Sequence, residues 1–135
     1  MKNNVSSKFT RFLSICFLLL FSNTAYGQVE KIQDKYMASR FKDLHNINRT
    51  DSIYYLFSAD MQAMLPMDKA RKFLSELKQQ AGPIRRMDFI GYDGPYAIYR
   101  TTFEKGTFLV NIALNEQHKI NGFFVKPDEE EQAMR

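Results

Sequence analysis

Cysteine is nearly absent from this chain of 135 residues, which has one, Cys16, inside an apolar stretch near the N-terminus. A single cysteine cannot form an intramolecular disulfide framework. We expect Cys16 to be removed with a signal peptide, so the mature chain can hold neither a thiolate metal site nor a cysteine nucleophile. Such a domain depends on its hydrophobic core for stability.

Long apolar runs are also lacking. The most apolar stretch, residues 12–21, has ten residues, whereas a membrane-spanning helix needs about 20. Three basic residues precede it, and small and polar residues follow it up to Gly27. This order is typical of a secretory signal peptide. We predict cleavage after Gly27, export to the periplasm or beyond, and no stable membrane span afterwards; an uncleaved anchor is the alternative.

A strong charge of one sign is missing as well. The net charge of +4 includes three basic residues of the predicted signal peptide, and the remainder has 16 Lys and Arg against 15 Asp and Glu. A nearly neutral domain lacks the positive field that attracts nucleic acid or anionic membranes. We therefore expect no nucleic-acid partner.

Catalytic residue types are scarce. The chain has two histidines: His45 ends the predicted first helix, where a favourable contact with the helix dipole is the simplest interpretation, and His118 lies in a predicted turn. Neither has the spacing of a zinc site, and no G-x-S-x-G motif is present. The residues favour a non-catalytic domain over an enzyme, with no metal and no cofactor.

Four runs of strand length fill the second half of the chain, at residues 84–92, 96–104, 107–115 and 118–126. They are rich in β-branched and aromatic residues, and turn residues such as Asp93-Gly94-Pro95 separate them. Because such short connections join antiparallel neighbours, the pattern predicts a four-stranded meander.

Helical periodicity fills residues 28–81. It predicts helices over 28–45, 52–57 and 67–81, with a short turn capped by Ser58 between the last two. The buried stripe of the first helix is assigned to Val29, Ile32, Tyr36, Met37, Phe41 and Leu44. The fold class is α+β: helices packed on a curved, cone-like antiparallel sheet, in one domain over 28–127. A charged, flexible tail is expected at 128–135.

Both faces of the predicted sheet carry apolar residues. In the third strand, alternate residues from Phe108 to Leu114 form the core face. The other face is mixed, and its apolar residues are assigned as Leu109, Phe123, Val125 and Phe103. Since a fully solvated face would be polar, we predict that this face binds a second copy or another envelope protein.

A second group of candidates lies around the first hairpin. Asp88, Tyr92, Tyr99, Arg86 and Arg100 are the candidates for a small-molecule pocket or an anion site. An aspartate among apolar neighbours can act as a base in an isomerase-like pocket. Pairing of Asp88 with Arg86 or Arg100 is the simpler interpretation, and we favour it.

The succession of these elements resembles a known superfamily. The matching residues include Leu56-Phe57-Ser58, Met64-Leu65-Pro66, Gly82-Pro83 and Lys119-Ile120-Asn121-Gly122-Phe123. They resemble a cystatin-like, nuclear-transport-factor-two-like domain, and more narrowly a bacterial family of unknown function. Domains of that family often precede a serine hydrolase or β-lactamase-type domain. The resemblance implies a cone-like sheet and no agreed catalytic residues, and a role as accessory to a separate hydrolase is a further alternative.

Overall fold

The computed structural model of the protein describes residues 28–134. The predicted signal peptide, residues 1–27, lies outside the described residues. Within residues 28–134, the structure has no helix with the length and apolar character that crossing a membrane requires.

Helices come first in the described part of the chain. α1 spans Ile32–Asn46, α2 Thr50–Tyr54, α3 Ala59–Met64 and α4 Met67–Ala81. Ser58 caps α3 as predicted, because its hydroxyl accepts a hydrogen bond from the Met61 backbone N–H at 3.1 Å. α4 ends before Gly82, whose φ of +81° suits glycine better than any other residue.

The strands then follow in the order in which they pair. β1 spans Ile84–Asp93, β2 Tyr96–Phe103, β3 Gly106–Leu114 and β4 Ile120–Pro127, all antiparallel in one open sheet. The predicted α+β fold and four-stranded meander are confirmed.

The helices cover one side of this sheet. α1 packs on β1 and β3, α3 packs on β4, and α2 packs on α4. Phe41 of α1 is fully buried, and its ring centroid lies 4.9 Å from that of Phe123 in β4. Further core residues are Ile53, Leu74, Ala97, Tyr99, Phe103, Val110, Ile112 and Ile120. We call this the helix-facing side, and the opposite side the outer face.

Three of the four predicted interface residues lie on the helix-facing side. Phe103 is buried, and Phe123 and Val125 pack against the core. Only Leu109 lies on the outer face, in register with Arg100 of β2. The assignment of Phe103, Phe123 and Val125 to the second face was therefore wrong.

Strand register explains this correction. Cross-strand partners share a face of a sheet, and Val110 pairs with both Tyr99 and Val125. Every second residue of β2 counted from Tyr99, which includes Phe103, therefore faces the helices. In β4, a register shift leaves Asn121 as an extra residue, so Ile120 and Phe123 both face the core.

The buried stripe of α1 also differs from the prediction. Val29, Ile32 and Tyr36 are exposed, while Asp34 and His45 join the apolar residues that are buried. The prediction relied on apolar residues alone. It placed the buried stripe wrongly because Asp34 and His45 are polar but are buried against partners elsewhere in the domain.

The C-terminal segment, predicted as a charged tail, contains a short helix. Glu129–Ala133 form this helix, α5, and the preceding Asp128 is buried. Asp128 forms an ion pair with Arg100, described below.

Candidate functional site

The outer face carries an apolar patch across all four strands. Its centre is the row that joins Gly91, Ile98, Asn111 and Phe124 across the sheet. Ile90 beside this row is 45% exposed and Phe124 is 41% exposed. Together with Tyr96, Ile98 and Leu109, they form what we call the outer patch, defined as Ile90, Tyr96, Ile98, Leu109 and Phe124.

Gly122 determines how the outer patch packs. Tyr96 pairs with Ala113, which pairs with Gly122, so the tyrosine side chain lies along this row. A Cβ added at Gly122 would lie 2.6 Å from the Tyr96 hydroxyl oxygen. The Tyr96 ring therefore occupies the space above Gly122, and its edge meets the Phe124 ring with centroids 5.0 Å apart.

The C-terminal segment limits the outer patch on one side. The Arg100 Nε donates to Asp128 Oδ2 at 2.7 Å, and its Nη2 donates to Glu130 Oε2 at 3.0 Å. The Asp128 side chain is 2% exposed, whereas that of Arg100 is 37% exposed. The hydrogen bond that Arg100 donates to Asp128 raises the pKa of Arg100 above its ordinary value. This pairing holds α5 beside Leu109, with an open cleft of about 250 Å³ between them.

The predicted anion site does not form. Arg86 and Asp88 make an exposed ion pair of 2.7 Å on the outer face, which agrees with the simpler interpretation of Asp88. Arg100 is neutralised by Asp128 and Glu130. These arginines therefore offer little unpaired positive charge to an anion.

Tyr92 and Tyr99 lie on the opposite side of the sheet from Arg86, Asp88 and Arg100. A register shift between Phe89 and Gly91 adds one residue to β1, so Tyr92 turns to the helix-facing side. The structure therefore does not bring the five pocket candidates together on one face of the sheet, although Arg86 and Tyr99 both border an open cleft of about 230 Å³ beside α1.

Two carboxylates of the N-terminal segment bind these tyrosines. The Tyr92 hydroxyl donates to Asp34 Oδ2 at 2.7 Å, and the Tyr99 hydroxyl donates to Glu30 Oε1 at 2.7 Å. Burial raises the pKa of Tyr99 far above its ordinary value, and it also raises the pKa of Tyr92. Both hydroxyls therefore remain protonated donors at neutral pH.

The segment that contains Asp34 borders an open cleft of about 470 Å³. We call it the end cleft. It lies between residues 28–34, the turn after β1 and the turn after β3, with His118 and Leu114 on its far side. The isomerase-like alternative requires an enclosed apolar cavity, whereas this cleft is open and lined mostly by polar residues.

His45 has a structural role. It is 3% exposed, and its Nε2 donates to the Gly82 carbonyl at 2.9 Å. Burial lowers the pKa of His45 below its ordinary value, outweighing the opposite effect of this hydrogen bond. The neutral ring therefore joins the end of α1 to the end of α4, and the predicted charge–dipole contact is not its main interaction.

Sequence reasoning missed Glu30, Asp34 and Asp128. Each is an ordinary charged residue whose partner lies at least 28 positions away in the chain. No local pattern marks such long-range pairs. Among residues 28–134, the structure has no group of three or more His, Cys, Asp or Glu side chains placed to hold a metal ion.

The fold and these surfaces define a small α+β domain in which helices cover one side of an antiparallel sheet. Comparison with protein families identifies residues 38–123 as a domain described as "Protein of unknown function (DUF3887)". The chain belongs to this family. Comparison with curated proteins and with solved structures finds no significant match.

Proposed function

We propose that this protein is an exported, non-catalytic binding domain that associates with a second copy of itself through the outer patch. The observation that supports the proposal is the exposure of Phe124 and Ile90 on the outer face of the sheet. Aromatic and aliphatic groups that gather on one solvent-exposed face are typical of protein contact surfaces.

Charge favours a second copy as the partner. Lys126 on β4 lies at one edge of the outer face, and Asp88 on β1 lies at the other, in the same row across the sheet. A two-fold axis parallel to the strands would place β4 of one copy over β1 of the other. Lys126 of each copy would then meet Asp88 of its partner, which is the self-complementarity that a symmetric dimer needs.

The oligomeric state tests this proposal. Sedimentation equilibrium of the purified protein should give a dimer whose population increases with concentration. Phe124→Asp should give a monomer that remains folded, because Phe124 already contacts solvent. Met64→Asp is the matched control, since Met64 is an exposed apolar residue of α3, and it should leave the dimer intact. A wild-type monomer at all concentrations would refute self-association.

The two-fold arrangement has a separate test. Lys126→Glu should weaken the dimer, and adding Asp88→Lys to the same chain should restore it, because the charge pair is then reversed. If the double variant is weaker than both single variants, the dimer uses another orientation.

The same proposal includes export of the protein and its likeness to the nuclear-transport-factor-two-like superfamily. In residues 1–27, basic residues are followed by an apolar run, and this order supports export. Edman sequencing or mass spectrometry of the secreted protein should place its N-terminus at Gln28. The succession of helices and meander supports the likeness to nuclear-transport-factor-two-like domains.

A further inference from the structure

We propose that the end cleft is a binding site for a neutral, polyhydroxylated ligand such as a sugar. This inference is independent of the proposed dimer, because the cleft lies at one end of the domain and the outer patch lies on a face of the sheet. Its volume of about 470 Å³ is within the range of small-molecule sites, which is about 300–1,000 Å³.

A nearly buried carboxylate supports the proposal. Asp34 is 8% exposed and lines the cleft. Its Oδ2 accepts a hydrogen bond from the Tyr92 hydroxyl, and an ionised carboxylate has about four lone-pair positions, so this bond leaves acceptor capacity on the group. The carboxylate can therefore accept a hydrogen bond from a ligand hydroxyl.

The charge of the cleft favours a neutral ligand. A small anion would be repelled by Asp34. A small cation would be opposed by Lys31, whose Nζ lies 5.4 Å from the centre of the Tyr92 ring. One acidic and one basic side chain, Asp34 and Lys31, line the cleft, so the lining side chains favour neither sign strongly.

The remaining lining residues suit a sugar. Gln33 contributes a carboxamide, which donates and accepts hydrogen bonds as vicinal hydroxyls do. Gln28 contributes its side-chain NH₂ group as a donor, because its Oε1 accepts a hydrogen bond from the Tyr92 backbone N–H. Pro95 and Leu114 provide apolar surface against which the C–H face of a sugar ring can pack.

His118 provides a second observation at the rim. Its φ is +60°, a left-handed conformation that is uncommon for residues other than glycine. Residues held in such conformations are frequent at binding sites, where the surrounding structure maintains them. His118 also lines the end cleft, so its ring is placed where it can contact a ligand.

An NMR titration of the full chain, expressed so that its natural processing occurs, tests the site. Glucose, N-acetylglucosamine and maltose are the neutral probes, and acetate and putrescine are charged probes of each sign. We expect at least one sugar to cause saturable shifts in the amide signals of Asp34, Tyr92 and His118, with millimolar affinity. No saturable shift with any sugar, or equally strong binding of acetate or putrescine, would overturn the proposal.

Two variants separate binding from folding. Asp34→Asn retains an acceptor for Tyr92 but removes the charge, and it should weaken the sugar by about tenfold, the effect of losing a hydrogen bond to a charged group. Asp60→Asn, at the exposed start of α3, is its control. His118→Gly should bind more weakly while its melting temperature is unchanged or higher. Unchanged affinity in both Asp34→Asn and His118→Gly would refute the assignment.

The dimer variant completes the design. Phe124→Asp should bind the sugar as tightly as the wild type, because the outer patch contributes no residue to the end cleft. If Phe124→Asp abolished sugar binding while remaining folded, the ligand would occupy the outer face instead, and the end cleft would lose its proposed role.

Discussion

Most aromatic residues of the sheet lie on the helix-facing side, and the two sides also differ in what covers these residues. On the helix-facing side, Phe123 meets both Phe41 of α1 and Phe73 of α4. On the outer face, the adjacent Phe124 meets only Tyr96 among the described aromatic rings and is 41% exposed. The aromatic residues of the helix-facing side are therefore part of the core, whereas part of the outer face remains exposed.

Neighbouring phenylalanines give the sharpest test of this difference. Phe123→Ala should lower the free energy of unfolding by about 2–4 kcal/mol, because it leaves a cavity between α1, α4 and β4. Phe124→Ala should change it by less than about 1 kcal/mol while weakening self-association. Urea denaturation under monomeric conditions measures both values. Equal costs for the two substitutions would mean that the assigned faces of β4 are wrong.

The Arg100 pair should have a smaller effect. Arg100→Met leaves the buried Asp128 carboxylate without its partner and should cost about 1–2 kcal/mol, with faster hydrogen exchange in Glu129–Ala133. Arg71→Met is the matched control, because Arg71 pairs with Asp51 at a similar distance but both side chains are about half exposed. Its unfolding transition should not change measurably. Slow exchange in α5 of Arg100→Met would show that other contacts hold the helix.

His45 should give the smallest effect, visible in the pH dependence of stability. Its pKa is lowered in the folded state by burial, so the unfolded chain binds a proton first as the pH falls. This contribution is complete above about pH 6.5 and is lost as the pH falls through the lower folded pKa. His45→Gln should remove this slope between about pH 7 and 5, whereas His118→Asn should retain it. An unchanged slope in His45→Gln would assign it to other groups.

Strand positions could be predicted from the sequence because their signals are local. The turns at Asp93-Gly94-Pro95 and Lys105-Gly106 separate the runs, and β1 to β3 begin and end within about one residue of them. The inward set of β3 was predicted correctly for the same reason: Val110 and Ile112 are buried and Phe108 packs against the core.

The relative faces of different strands were harder to predict. Alternation shows which residues of one strand share a face. Only the pairing register shows which of these residues lie on the same side of the sheet as a given set in the neighbouring strand. Between β2 and β3 the signal was present, because the two-residue turn Glu104-Lys105 pairs Phe103 with Gly106. In β1 and β4, one extra residue reverses the alternation partway along the strand. Glycine near the irregularity was the only local sign.

The end cleft could not be predicted from the sequence. Tyr92 was recognised as a candidate, but Asp34 lies 58 positions earlier in the chain, and nothing in its local sequence marks it as a partner of Tyr92. Only the packing of α1 against β1 and β3 brings these groups together. The outer patch was anticipated as a type of surface, although only Leu109 of its predicted residues belongs to it.

The glycine at position 122 has a consequence for the shape that a partner would meet. Because the Tyr96 ring lies along the sheet above Gly122, this row presents the side of a ring where a protruding side chain would otherwise stand. In the proposed dimer, a low surface at this row would favour the spacing of about 10 Å found between layers of β-sandwiches. The absence of a side chain at one position would then help to set how closely two copies approach.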